Sequence, residues 1–351
     1  MREFFVVLLA MLAGQGPAPS PLVRSEFIFE HAPFPSAHAS TIVESRDGLV
    51  AAWFGGTAER NPDVGIWVSR HPSTRLGAGG DGGWSEPIEV ATGVQPDGTR
   101  HPCWNPVLFQ PSNGPLILFY KVGPSPSQWW GLARTSADGG RTWSAAVALP
   151  AGMLGPIRAK PVEVSPGVML AGSSTEHDGW IAHMERFSGS WTAEGLASVA
   201  SWQTSGALNR KETFGAIQPT ILMHGPSLLQ ILCRSRQRVI TEAWSQDGGT
   251  TWGAMTATTL PNPSAGIDAV RLNDGRLLLV YNPSPTSRQK LVVALSSDGK
   301  AWRDVIVLEE EGTGEHSYPA MIQTRDGAVH LTYTFRRDRI KHVVLDAALL
   351  K

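Results

Sequence analysis

One phrase returns along the chain and limits the folds open to it. It reads Ser136-Ala-Asp138-Gly139-Gly140-Arg-Thr142-Trp143, then Ser245-Gln-Asp247-Gly248-Gly249-Thr-Thr251-Trp252, then, one residue shorter, Ser296-Ser-Asp298-Gly299-Lys-Ala-Trp302. A partial copy, Asp81-Gly82-Gly83-Trp84, precedes them. The physics is that of a hairpin: Ser and Asp cap turn amides, Gly supplies positive φ, and Trp packs back over the strand pair. A single copy means a turn, whereas several copies mean a repeat architecture.

A second signal runs beside the first. An apolar strand, a glycine turn and another apolar strand recur around Gly48, Gly114, Gly167, Gly225, Gly275 and Gly327, which are 66, 53, 58, 50 and 52 residues apart. Six units of this size with about four strands each predict an all-β fold, a six-bladed β-propeller. The last strand, 341–346, lies near the C-terminus, so the segment 27–31 is expected to complete its blade.

Composition agrees. Of 351 residues, 42% are apolar and 17% charged, the formal net charge is −1, and Gly (37), Pro (26) and Trp (13) are abundant, as many short strands and tight turns require. Bulk charge does not suit a nucleic-acid binder. Residues 1–14 carry one Arg before about ten apolar residues and read as an export signal, giving a leader and linker over 1–22, a propeller over 23–351, and a secreted or periplasmic protein. No later segment is long and apolar enough to span a bilayer. Cys103 and Cys233 allow at most one disulfide and have no metal-ligand spacing. No nucleotide loop or metal cluster is visible, so no cofactor is expected, though Asp268 with strand-start carbonyls could hold a structural cation.

Topology then says where chemistry can sit. The glycine and Trp turns share one face of an up-and-down propeller. The other face gathers the starts of the innermost strands (His38, Asn105, Arg158 with Lys160, Gln218, Asp268, His316 with Tyr318) and the loops between second and third strands. Those loops carry Glu59, Asp63, Lys121, Glu176, His177, Arg234, Arg236, Arg288, Arg336 and Arg337. Such a rim suits an anionic ligand, because Arg forks match carboxylates bidentately.

The Trp turns resemble the Asp-boxes of the sialidase (BNR-repeat) superfamily, over roughly residues 27–346. The segments His38-Ala-Ser-Thr, Trp53-Phe-Gly-Gly-Thr57, Gly155-Pro-Ile-Arg-Ala-Lys-Pro161, Asp268-Ala-Val and Ile340-Lys-His-Val-Val-Leu-Asp346 resemble a predicted-sialidase branch. The resemblance implies Asp63 as acid/base, Arg234 and Arg288 as carboxylate-binding arginines, and Tyr318 as nucleophile. At two positions the chain departs from it: His38 stands where sialidases have their first Arg, and Gln218 where they have a Glu. A phenol of ordinary pKa near ~10 needs a neighbour to take its proton, and Gln cannot. Glu212 could do so only if its loop folded inward.

Three readings follow. One is an exo-acting glycosidase on a terminal acidic sugar, with Asp63, Tyr318, His38 and Gln218 at the chemistry and Arg234, Arg288, Asn105, Lys160, Asp268, His177 and Arg336 holding a carboxylate-bearing glycan. The second is a uronate lyase, with Tyr318, His38, His101 or His177 as base and Arg234, Arg288 or Asn105 as neutraliser. The third is a non-catalytic glycan-binding propeller in which Trp104, Trp129, Trp130 and Trp180 stack sugars.

Overall fold

The computed structural model describes residues 20–72, 83–312 and 314–351. Residues 1–14, read above as an export signal, and Asp81 and Gly82 of the partial repeat lie outside this range. Within it are six four-stranded antiparallel sheets, the blades of a β-propeller. Their innermost strands are Ser36–Ser45, Cys103–Phe109, Val162–Ser165, Ala216–Met223, Asp268–Arg271 and His316–Gln323, and each blade then runs outward in chain order. Only the sixth breaks that order. Its outermost strand is Leu22–Phe27, which pairs antiparallel with Arg339–Asp346.

The closing strand therefore lies before the expected segment 27–31, overlapping it only at Phe27, with one further bond from Ile28 N to the Ile340 carbonyl at 2.9 Å. The reason is burial. Leu22–Phe27 is mostly exposed or half-buried and carries no apolar signature, whereas Ile28 and Phe29 turn inward beside Trp53, Phe34 and Ile340.

The apolar core is not one central mass. Clusters fill the seams between neighbouring blades, as where Val50, Phe54 and Ile66 of the first meet Leu108, Leu118 and Tyr120 of the second. The repeated turns belong to these seams. In the first full copy Asp138 Oδ1 accepts from Arg141 N at 3.0 Å and Thr142 N at 2.8 Å, while Ser136 Oγ accepts from Gly140 N at 2.8 Å. Trp143, Trp252 and Trp302 each pack onto the seam with the preceding blade. The second glycine is where the turn presses on that blade: a Cβ at Gly249, whose φ is +83°, would stand 2.5 Å from Leu170 Cδ2. The two cysteines are buried and free, so the single possible disulfide is not formed.

The innermost strands share a second device. Ala39, Asn105, Gln218 and Tyr318 have φ of 56°, 35°, 59° and 53°. At each, the register with the second strand slips. Positive φ is uncommon for residues other than glycine, and a bulge re-aims the side chain it carries. Three of the four precede a proline (Pro106, Pro219, Pro319), which disfavours the right-handed helical region for the residue before it. One strained turn thus recurs around the axis on the face opposite the Trp turns, and blade six places Tyr318 in it.

Lys121, expected on the rim, is instead fully buried. Its ammonium donates to the Pro156 carbonyl. Burial, opposed by the charge of Glu185, draws its pKa down to about 7.

Candidate active site

Tyr318 lies almost wholly inside the axial bowl, its hydroxyl oxygen accepting from Arg234 Nη1 at 2.8 Å. Three guanidinium groups surround its ring: those of Arg158 and Arg234 at 5.3 Å from the centroid, and that of Arg288 at 5.8 Å. The His38 ring leans over it, with centroids 4.2 Å apart at 50°. Arg158 is 2% exposed and donates to the carbonyls of Ile267 and Pro319, so it braces the bulge that carries Tyr318. Burial, partly offset by Asp268 and Tyr318, draws its pKa down to about 10.

The arginines are held in turn. Arg234 Nη1 and Arg288 Nη2 donate to the same carbonyl, that of Ser264, at 2.9 and 3.1 Å. Arg288 also reaches Glu315 at 3.4 Å. Glu315 accepts from Ser317 Oγ at 2.7 Å and Arg337 Nε at 2.9 Å, and Arg337 bonds Glu59 as well. Burial works against ionisation of Glu315, but the Arg337 hydrogen bond and charge, Ser317 and Arg288 outweigh it and hold its pKa below the ordinary value. This chain of alternating charge ties blades five, six and one together above the axis.

His38 is buried, and its pKa falls well below the usual histidine value because of burial and the charges of Arg337, Arg288, Arg158 and Arg234. It is a neutral imidazole at ordinary pH. Its Nδ1, Gln218 Oε1, and Nε of Arg158 and Arg234 are buried without a hydrogen-bond partner among the described residues. The bowl thus offers unspent donors and acceptors beside a phenol.

Tyr318, Arg234, Arg288 and His38 are brought together by these contacts, and Gln218 sits at the same bulge position on blade four as Tyr318 on blade six. Asn105 holds that position on blade two and is buried. Lys160 and Asp268 are spent on each other at 3.0 Å, and Asp268 also accepts from Thr220 Oγ1 at 2.7 Å and Met321 N at 2.8 Å. The Lys160 ammonium also donates to the Ala269 carbonyl at 2.7 Å, so the pair ties blade three to blade five. Asp63 is half-exposed, its two oxygens accepting from Thr57 N and Thr57 Oγ1 at 2.8 Å each. His177 is exposed and lines a groove between blades two and three. The Arg336 guanidinium lies over the Phe335 ring at 5.1 Å, and it is Arg337, one residue on, that joins the charged chain. Glu212 is exposed.

Arg158, Arg337 and Glu315 were not singled out by sequence. The first two stood among the rim charges with nothing to rank them, because the partners that define their roles come from other blades. Trp180 lies between Arg234 and Arg236, whose guanidinium carbons are 4.9 and 4.8 Å from its ring, a cation–π wall beside the bowl. Chemically the arrangement can grip a carboxylate and stabilise negative charge on a phenol oxygen.

The family model described as "BNR repeat-like domain" matches residues 47–331. Among solved structures, a protein of unknown function from Dyadobacter fermentans superposes with a TM-score of 0.71 at 17% identity, over 93% of this chain and 98% of that one. The NanB sialidase of Streptococcus pneumoniae gives 0.71 at 12% identity, over 96% and 72%. An α-L-arabinanase of Penicillium chrysogenum gives 0.66 at 15%, over 95% and 100%. At such identities these likenesses establish the propeller fold. No curated protein sequence matches the chain. Among the described residues no helix is long and apolar enough to cross a membrane.

Proposed function

We propose, from the premise that this chain belongs to the BNR repeat-like domain family, that it is an exo-acting glycosidase cleaving a terminal acidic sugar from a glycan. The observation that carries the reading is the Tyr318 hydroxyl held at 2.8 Å by Arg234, with three guanidinium groups around its ring. Arg234 and Arg288, joined through the Ser264 carbonyl, converge as a carboxylate clamp. Tyr318 Oη is the nucleophile, and sialidases are the tyrosine exception among glycosidases. Arg234, donating into that oxygen, stabilises the charge on it before attack and again when the glycosyl–tyrosine bond breaks.

Elimination on a uronate is the second reading. The neutral His38 ring over Tyr318, and an amide at Gln218, favour it. The products separate the two. Sialosides and uronate-capped oligosaccharides are incubated with the protein; hydrolysis releases a saturated reducing sugar, whereas elimination leaves an unsaturated sugar absorbing in the near ultraviolet. Binding without either product leaves neither enzyme reading standing.

A further inference from the structure

Three imidazoles gather near one carboxylate where the ring closes. In blade six Glu26 lies opposite His342, and His342 lies opposite Thr332. Residues two apart on a strand share a face, so His330 stands on the face of Thr332, and the row Glu26, His342, His330 crosses three strands. Glu26 Oε1 is 2.9 Å from His342 Nδ1, and His342 Nε2 is 3.0 Å from His330 Nδ1, with the two rings stacked at 8°. Both rings are buried. Blade one covers the row: Trp84 stands edge-on to His342, centroids 5.1 Å apart, and to His71 of the strand Gly65–His71 at 5.4 Å. Arg24, on the closing strand itself, reaches the same Glu26 oxygen at 3.8 Å.

The hydrogen bonds fix where the protons are. Trp84 Nε1 stands 3.4 Å from His342 Nδ1, but the carboxylate is closer and can only accept. His342 Nδ1 therefore carries the proton donated to Glu26, and its Nε2 accepts from His330 Nδ1. A gap of 3.0 Å between two nitrogens holds one proton, not two. The closed pair thus takes up one added proton at most, whereas two imidazoles turned to water take up one each.

We infer that this row is an acid-released latch on the propeller: proton uptake by His342 and His330 frees the strand Leu22–Phe27 from blade six while the other five blades stay folded. The inference does not depend on what the site cleaves. Charge acts in the same direction, because Arg24 already offsets Glu26, and every proton added to His71, His330 or His342 is then an excess of positive charge. Burial, opposed by Glu26, draws the His342 pKa below the ordinary histidine value, and His71 and Arg24 add to the fall. Burial works against ionisation of Glu26, but the His342 bond and charge, Arg24 and His71 outweigh it and hold its pKa below the ordinary value. A depressed histidine supports the closed state above about pH 6.5 and ceases to do so as pH falls; a depressed carboxyl does the same below about pH 4.3. Both signs agree that acid opens the row.

The test is hydrogen exchange on the whole protein between about pH 7.5 and 5, corrected for intrinsic rates and read by mass spectrometry. Peptides over 22–28 and 339–346 are compared with the blade-three strand Val168–Thr175. The open row binds at least one proton more than the closed one, so opening should rise about ten-fold per pH unit below about 6.5. The closing-strand amides should follow that slope, and Val168–Thr175 should not. His342→Gln, whose amide can donate to Glu26 and accept from His330 without titrating, should flatten the slope while keeping protection at neutral pH. Glu26→Gln removes the counter-charge and should move the onset of release to higher pH. Thermal melts at neutral pH check that both variants fold; should neither fold, the wild-type comparison alone decides. Loss of protection in both regions together would mean that acid unfolds the whole propeller, and the latch is overturned. A slope that survives in folded His342→Gln overturns it too, by assigning the release to Glu26 alone, and so does full protection of 22–28 at the acid end.

Discussion

Replacing Tyr318 by Phe removes one hydroxyl and tests the bowl directly. In the folded protein that oxygen accepts one charge-assisted hydrogen bond, from Arg234 at 2.8 Å. Arg234 keeps its bond to the Ser264 carbonyl, so the guanidinium is not abandoned. Losing a hydrogen bond to a charged group destabilises by about 1.5–3 kcal/mol. With an unfolding entropy of about 2.1 cal/mol/K per residue, a chain of this length loses only about 2–4 °C in Tm. His38 and the three arginines still pack against the ring. Turnover should behave otherwise, because without the phenol oxygen no glycosyl–tyrosine bond can form. We expect kcat/KM on a cleaved acidic glycoside to fall by at least about 10³-fold. Calorimetry and initial rates on the same preparation provide the measurement. A folded variant within about ten-fold of wild-type turnover would show that Tyr318 is structural, and that the clamp serves binding or another base.

Two further predictions concern the framework. Gly249→Ala forces a Cβ to 2.5 Å from Leu170 Cδ2 at φ +83°, whereas Gly167→Ala, at φ +78°, meets nothing within 4 Å. The second should lose only the left-handed term, about 1–2 kcal/mol, and the first a further ~1–3 kcal/mol of overpacking, read as separate steps in chemical denaturation; equal losses would mean the turn is not pressed onto blade three. Lys121 has a folded pKa of about 7, below its unfolded value, so the unfolded chain binds more protons between pH 7 and about 10.5. The burial penalty is fully present below pH 7 and fades as pH rises, so wild-type stability should gain on Lys121→Met by up to about 1.4 kcal/mol per pH unit in that window. A pH-independent difference between the two proteins would place the Lys121 charge elsewhere.

The architecture was legible because two local signals repeat: a phrase such as Ser245 to Trp252 specifies its own turn, and six turn glycines give the blade count. Tyr318, Arg234 and Arg288 could be placed because their positions within a blade are fixed by the repeat. What sequence could not rank were residues whose meaning depends on another blade. Lys121 looks like any loop lysine until the Pro156 carbonyl closes over it. Lys160 and Asp268 read as two rim charges until they meet across blades. The bulges were written more plainly than they read: Asn105-Pro106, Gln218-Pro219 and Tyr318-Pro319 are the same punctuation at the same place. Leu22–Phe27 offered no such mark, because an outermost strand is held by backbone bonds rather than by an apolar face.

That outermost strand has a mechanical consequence. Leu22 faces Leu345, and Asp346 N bonds the Pro21 carbonyl at 2.8 Å, so the two ends of the ring emerge side by side. A force drawing those ends apart would load the antiparallel ladder one bond at a time, like a zip, rather than shearing the whole row together. The ring therefore opens most easily at its sixth blade, the blade that holds Tyr318. The same closure pairs residues more than 300 positions apart, among the most non-local contacts a chain of this size can make. Such contacts form late and slowly, since loop closure must precede any gain from them. During folding, five blades can stack before the bowl exists, and the site is completed only when the two ends of the propeller find each other.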